Sequence, residues 1–340
     1  MSNENQTETS QRKKDHIDLA FNSQVNQLEL DKRFYYEPML SPHPSEQDSL
    51  QTRFGDKILG MPLWVSSMTG GTEHAGSINK NLAKACRQFG LGMGLGSCRI
   101  ILEDETYFED FNLRPIIGDA FPFYANLGIA QIENLLHSGK KTLINNLVHK
   151  LEADGLIIHV NPMQEWLQPE GDLIKSSPID LIQRSLDSFD FPIIVKEVGQ
   201  GFGPKSMEKL LALPLAAVDF GAAGGTNFAK LELSRANDLE QNHEKLMYCG
   251  HNATEMMAFA ANIVLQNNQI NCKQLIVSGG IKDYLDGHYF IEKSPIPAIY
   301  AQASVLLRYA LHSYDKLEAY LQTQVEGLKM ARKFLFLKND

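Results

Sequence analysis

The chain has 340 residues, 43% hydrophobic and 21% charged, a balance that supplies apolar area for a substantial core and excludes disorder throughout. Its size suits one large α/β barrel or two ordinary domains. Forty-one acids against 32 Lys plus Arg give a formal net charge of -9, which repels an extended phosphate backbone and admits a small anion only where basic residues are concentrated.

No run approaches the roughly 18 apolar residues of a membrane span, and the N-terminus MSNENQTETSQRKKDH lacks the apolar core of a signal peptide. A cytoplasmic protein that binds neither membrane nor nucleic acid is expected. Cys86, Cys98, Cys249 and Cys272 stand far apart without C-x-x-C spacing, so reduced thiols are expected, with no disulfide framework and no structural zinc.

In chain order, residues 1–55 read as a flexible polar tail followed by an irregular covering segment rich in Asn, Gln, Ser and Pro. Residues 56–340 change character. Short apolar runs at Leu63 to Ser66, Leu91 to Leu95, Phe123 to Leu127, Leu156 to Val160, Pro192 to Val195, Ala216 to Phe220, Leu275 to Ser278 and Ala298 to Tyr300 alternate with amphipathic stretches. Runs this short and apolar on both faces suit a buried parallel sheet. Ile78, Leu82, Ala85 and Phe89 predict one helix; Ile179, Ile182, Leu186 and Phe189 predict another, behind a Ser177 cap and Pro178. Eight alternations predict a (β/α)8 TIM barrel with an N-terminal covering arm, a doubly wound open sheet being the competing fold. Ser234 to Thr254 reads as a long polar loop or lid, and Asp315 to Leu337 as a closing helix with an oligomer contact as the alternative.

In such a barrel, chemistry concentrates after the strands' C-terminal ends. The first run is followed by SSMTGGT, the second by GSCR with Arg99 as an anion fork or a surface ion-pair partner, and the third closes on Asn126. The fourth leads into HVNPMQEWLQPEGD, residues 159–172, where an imidazole, carboxamides and carboxylates crowd one segment. Glu165 there suits a hard cation such as Mg2+, and His159 is a core histidine or a functional one. The fifth ends at Lys196, a point charge beside an anionic cofactor or a Schiff-base amine. The sixth and seventh lead into GAAGGTN and SGGI, glycine-rich loops of the kind that cradle phosphate in this fold.

As a set, from Arg12 to Leu307, the segments RKKDH, SSMTGGT, GSCR, HVNPMQEWLQPEGD, VKEVGQG, GAAGGTNFAKLEL with Arg235, and VSGGI resemble the type 2 isopentenyl diphosphate isomerases. The resemblance implies an FMN-containing (β/α)8 barrel that interconverts isopentenyl and dimethylallyl diphosphate. It implies Mg2+, a flavin kept reduced by NADPH or an equivalent donor, and a homo-oligomer, tetramer or octamer. On it, Met68, Thr69 and Gly70 would line the flavin, with Ser97 and Asn126 beside the ring and Lys196 near its N1 and O2 edge. Thr226, Gly279, Gly280, Gln302 and Ala303 would hold the FMN phosphate. Arg12, Lys13, Ser97, Arg99, His159, Asn161 and Gln164 would face substrate, Gln164, His159 and Asn161 being the catalytic set, and Glu165 would hold the metal. The arm carrying Arg12 and Lys13 would fold over bound diphosphate.

The chain departs from the usual form of the family at Gly221 and at Asn227-Phe228, where Ser and Ser-Trp are commoner, and at the turn Tyr300 to Ser304. Two rivals are an FMN-dependent 2-hydroxy-acid oxidase, which typically carries a His-Gly-Gly-Arg segment after strand six, and a non-enzymatic flavin redox sensor using Cys98.

Overall fold

The computed structural model describes residues 2–67, 73–102, 104–235, 243–266 and 269–338. Eight short parallel strands close into a barrel: β1 (Leu63–Val65), β2 (Gly92–Gly94), β3 (Phe123–Gly128), β4 (Gly155–Val160), β5 (Ile193–Glu197), β6 (Ala217–Asp219), β7 (Leu275–Val277) and β8 (Ala298–Gln302). Each falls on one of the eight apolar runs. An open sheet would leave two edges; here β8 pairs with β1 through Ala301↔Trp64 and Gln302↔Val65, so the competing doubly wound fold is excluded.

The runs are apolar on both faces because each face meets a separate core. Trp64, Tyr124, Ile157, Ile194, Ala217, Ile276, Ile299 and Ala301 fill the barrel interior. Their strand neighbours Val65, Ala125, Ile158, Val195, Val218, Val277 and Tyr300 pack outward against the helices. Side chains alternate along a strand, so the next inward positions, one step toward the C-terminal ends, are Ser66, Asn126, His159, Lys196, Asp219 and Ser278. The interior therefore changes from a packed apolar floor to a polar layer within two residues.

The expected helices are Glu73–Phe89 and Pro178–Ser188. Ser177 occupies the N-cap position of the second, but its side chain makes no capping hydrogen bond; Pro178 supplies the start. Around residue 55 the chain forms a hairpin, Thr52–Phe54 paired with Lys57–Leu59, whose turn lies at the boundary drawn between arm and barrel. Phe54 and Leu59 insert into the interior cluster beneath Trp64 and Tyr124, and Gln274, just before β7, holds the turn through the Gly55 N–H and the Arg53 carbonyl. The hairpin thus plugs the floor, leaving the C-terminal face for chemistry.

Two terminal expectations need correction. Ser2–Leu19, which the sequence presents as a flexible polar tail, is a helix: it contains neither Gly nor Pro, and Gln11 donates to Asp15 one turn on at 2.7 Å. It has no apolar stripe, and residues 8–32 are all exposed. At the other end the helix Tyr314–Phe334 stops three residues before Leu337, because Leu335–Leu337 pairs antiparallel with Phe34–Tyr36. No described helix is long and apolar enough to cross a membrane. Cys86, Cys98 and Cys272 are buried free thiols and Cys249 an exposed one.

Candidate functional site

Three groups of residues meet at the C-terminal face of the barrel. The first is the polar layer itself. Lys196 is buried at the end of β5 and donates from Nζ to the Glu197 carbonyl at 2.7 Å; it stands in register with His159 on β4 and Asp219 on β6. Burial, aided by the Lys196 charge, pushes the His159 imidazole down to about 3, so it is neutral across the physiological range. Its Nδ1 lies 2.9 Å from Asn126 Oδ1, and Asn126 Nδ2 donates to the Leu95 carbonyl at 2.9 Å. That chain makes Nδ1 the protonated nitrogen and leaves Nε2 as an acceptor. Burial raises Asp219 above the ordinary carboxylate range, outweighing the opposite pull of Lys196 and Ser278; Ser278 Oγ donates to it and accepts the Gly221 N–H at 2.8 Å.

The second group is a cavity over strands β5 to β8 and β1. Ser67, Lys196, Thr226, Gly279, Gly280, Gln302 and Ala303 all line it. Gly279 and Gly280 adopt φ values of +87° and +77°, a conformation that L side chains rarely take, and a Cβ on Gly279 would lie 2.0 Å from the Ala222 carbonyl oxygen. The helix Ser304–His312 begins at the cavity wall, with Ala303 supplying no side-chain cap, so its first N–H groups are free for an anion. Gln302 contributes backbone only: its carboxamide donates to Lys282 O at 3.1 Å and accepts from the Tyr320 hydroxyl at 2.9 Å. Ser67 Oγ is buried with no hydrogen-bond partner.

The third group follows β4. Pro162 starts the short helix Pro162–Leu167 at its first position, which turns Asn161, Gln164 and Glu165 together. Asn161 Nδ2 donates to Gln164 Oε1 at 3.1 Å and to Glu165 Oε1 at 3.0 Å; the Asp172 N–H donates to Glu165 Oε2 at 2.7 Å. Asn161 Oδ1 is buried without a partner. Beside this lies a separate cavity lined by Ser97, Arg99, Gln131 and Asp172, with Arg99 and Asp172 ion-paired at 2.8 Å.

The expected site residues therefore fall among these three groups, with exceptions. Met68, Thr69 and Gly70 lie outside the described residues. Asn126 sits below the mouth, holding His159, and Ser97 lines the Arg99 cavity rather than the glycine-lined one. Arg12 and Lys13 are exposed on the N-terminal helix and line neither cavity.

Sequence reading missed Glu232 and Glu197. Glu232, in the helix Phe228–Arg235, is 2% exposed; it accepts from Gln164 Nε2 at 3.1 Å and pairs with Arg235, which also reaches Glu170 at 2.7 Å. Its signal was the acid three residues before Arg235 in AKLELSR. Glu197 accepts the N–H groups of Gly199, Gln200 and Gly201 at 2.8, 2.6 and 2.8 Å and thereby shapes the loop after β5; burial raises its carboxyl even so. The described part of the suspected lid is tied down: Gln200 Nε2 donates to the Leu246 and Cys249 carbonyls, and Asn227 Nδ2 to Met247 O.

A scan against protein-family models finds no match. Among curated proteins, the chain is 36% identical to an isopentenyl-diphosphate delta-isomerase of Nostoc over 82% of this chain and 79% of that protein. It is 33% identical to the enzyme of the same name from Cronobacter sakazakii over 95% and 92%. Among solved structures it superposes on the flavin-binding domain of baker's yeast flavocytochrome b2 with a TM-score of 0.62 at 14% identity, covering 88% of this chain and 71% of that one. A mandelate oxidase carrying an FMN adduct gives a TM-score of 0.56 at 11% identity, covering 90% and 89%. These two likenesses establish a shared barrel fold.

Proposed function

This chain belongs to the family of isopentenyl-diphosphate delta-isomerases, and from that premise we propose that it interconverts isopentenyl and dimethylallyl diphosphate using FMN and Mg2+. The observation that carries the proposal is the meeting, at one barrel mouth, of a glycine-lined anion cradle with a buried lysine and the Asn161-Gln164-Glu165 network.

The residues present fit both groups. For FMN, the left-handed Gly279-Gly280 backbone and the uncapped helix at Ser304 offer N–H donors to a phosphate, Thr226 a hydroxyl, and Ser67 an unsatisfied polar atom along the cavity wall. Lys196 brings a buried cation to the same wall, where negative charge on a reduced flavin would need one. For Mg2+, Glu165 and the unpartnered Asn161 Oδ1 are oxygen donors of the type a hard cation takes, directly or through water. When bound, reduced flavin would supply the acid and base of the proton shift, and Mg2+ the counter-charge of the diphosphate.

The chain's own work is binding and orientation. Gln164, fixed between Asn161 and Glu232, would hold the alkene. The neutral His159 offers Nε2 as an acceptor and adds no positive charge beside a carbocation-like centre. Arg99 and Ser97 would meet the diphosphate. Arg12 and Lys13 would join them once the arm folds over the ligand, since their helix otherwise stands exposed. NADPH as reductant, a tetrameric or octameric assembly and a cytoplasmic location belong to the same reading.

The oxidase alternative lacks its base: the loop after β6 reads Gly221-Ala222-Ala223-Gly224-Gly225-Thr226, with no His-Gly-Gly-Arg. The sensor alternative loses its thiol at Cys98, because burial pushes that group up to about 12 and disfavours the thiolate. The deciding experiment incubates the reduced, FMN-loaded protein with Mg2+ and isopentenyl diphosphate in D2O without oxygen. Deuterated dimethylallyl diphosphate is expected; neither product nor exchange would refute the proposal.

A further inference from the structure

Resting on the diphosphate-isomerase reading, we infer that Asp172 is a positioning residue. It serves as the built-in counter-anion of Arg99, holding the guanidinium at the mouth and giving it up only to a strongly charged ligand.

Three contacts define the role. Arg99 Nη1 lies 2.8 Å from Asp172 Oδ2. Gln131 Nε2 donates to the same oxygen at 3.3 Å. The Asp172 backbone N–H donates to Glu165 Oε2 at 2.7 Å. The backbone position is set by Gly171, where a Cβ would lie 1.9 Å from the Glu165 carbonyl oxygen; only glycine lets the chain pass so close and deliver the next N–H to that carboxylate. Asp172 is therefore pinned by its backbone to the carboxylate best suited to the metal, while its side chain reaches out to the arginine best suited to the diphosphate.

The two ends of this linkage differ in strength. The side chains of Arg99 and Asp172 are 55% and 33% exposed, and an ion pair so open to water is weak and exchangeable. A diphosphate carries more charge than a carboxylate and can take the guanidinium bidentately, so it displaces Asp172. A singly charged or neutral ligand gains too little to do so. The carboxylate thus weakens every anion that takes Arg99 by the cost of breaking this one pair. The cavity lined by Ser97, Arg99, Gln131 and Asp172 gives the released carboxylate room beside its Gln131 donor.

The test is calorimetric titration of the FMN-loaded protein with Mg2+ and inorganic pyrophosphate, which needs no turnover. Asp172→Asn keeps the backbone N–H on Glu165 and is expected to tighten pyrophosphate binding about two- to fivefold, the range of an exposed ion pair. Asp172→Glu should restore the original affinity, and in an Arg99→Ala background Asp172→Asn should change nothing. A merely structural aspartate would give weaker binding, or the same change with and without Arg99, and either result overturns the assignment, as does unchanged affinity in Asp172→Asn. If pyrophosphate fails to bind the unaltered protein at all, the diphosphate reading falls and takes this role with it. Binding that ignores Asp172 removes the role alone.

Discussion

Two side chains carry most of the local argument. His159 is held neutral by burial and by Lys196, with its imidazole pushed down to about 3. An unfolded histidine near 6.5 binds a proton that the folded one refuses, so this group's stabilising effect is complete above about pH 6.5 and falls away as pH drops toward 3. Acid unfolding followed by circular dichroism should show that loss, and His159→Asn should flatten it; an NMR titration should leave His159 unprotonated at pH 5. Glu165 makes a separate case. Glu165→Gln should weaken Mg2+-dependent pyrophosphate binding by about 10–100-fold, the range seen even for outer partners of metal ligands, while the flavin absorbance stays as it was. Both residues were singled out from HVNPMQEWLQPEGD because such groups leave a barrel strand together. Glu232 was not, since nothing in AKLELSR says which way the helix that starts three residues beyond Gly225 will face.

At the level of loops and strands, the glycine cradle rests on backbone rather than side chains. Gly279 has φ +87° and a Cβ there would lie 2.0 Å from the Ala222 carbonyl oxygen, so Gly279→Ala must strain or displace the turn, at about 1–3 kcal/mol. FMN affinity measured by fluorescence quenching should fall by one to two orders of magnitude, about the equivalent of that strain, with far-UV circular dichroism unchanged. The loops after β5 and β6 are joined by a second device: Gly199 and Gly201 donate to the Gly221 carbonyl at 2.8 and 3.2 Å, and a Cβ at Gly221 would lie 1.9 Å from the Glu197 carbonyl oxygen. The departure from the commoner Ser at this position thus coincides with a tight crossing of two loops. The SGGI and GAAGGTN runs were readable as loops at the barrel mouth from their place after apolar runs. Their mutual packing was not, because it joins residues distant in the chain.

For the molecule as a whole, the barrel has a plugged floor and an open polar face. Phe54, 2% exposed, packs its ring 5.0 Å from Trp64 and 6.3 Å from Tyr124. Phe54→Ala should cost about 3–5 kcal/mol, read as a lower urea midpoint, while FMN affinity should hold because the proposed FMN cavity lies at the opposite end. The sequence itself determined eight buried parallel strands alternating with helices, because eight doubly apolar runs between amphipathic stretches have few ways to bury both faces; the β8–β1 pairing then decided a closed barrel over an open sheet. Tertiary structure alone decided which polar residues share an inward layer, since that depends on strand register, and it alone converted the C-terminal Leu335–Leu337 from helix to strand, since the pairing partner Phe34–Tyr36 lies some three hundred residues away. It also paired Arg99 with Asp172 and Gln164 with Glu232. Periodicity records which face of an element is apolar, whereas a contact between two polar side chains depends on where both elements end up, and no local pattern encodes that.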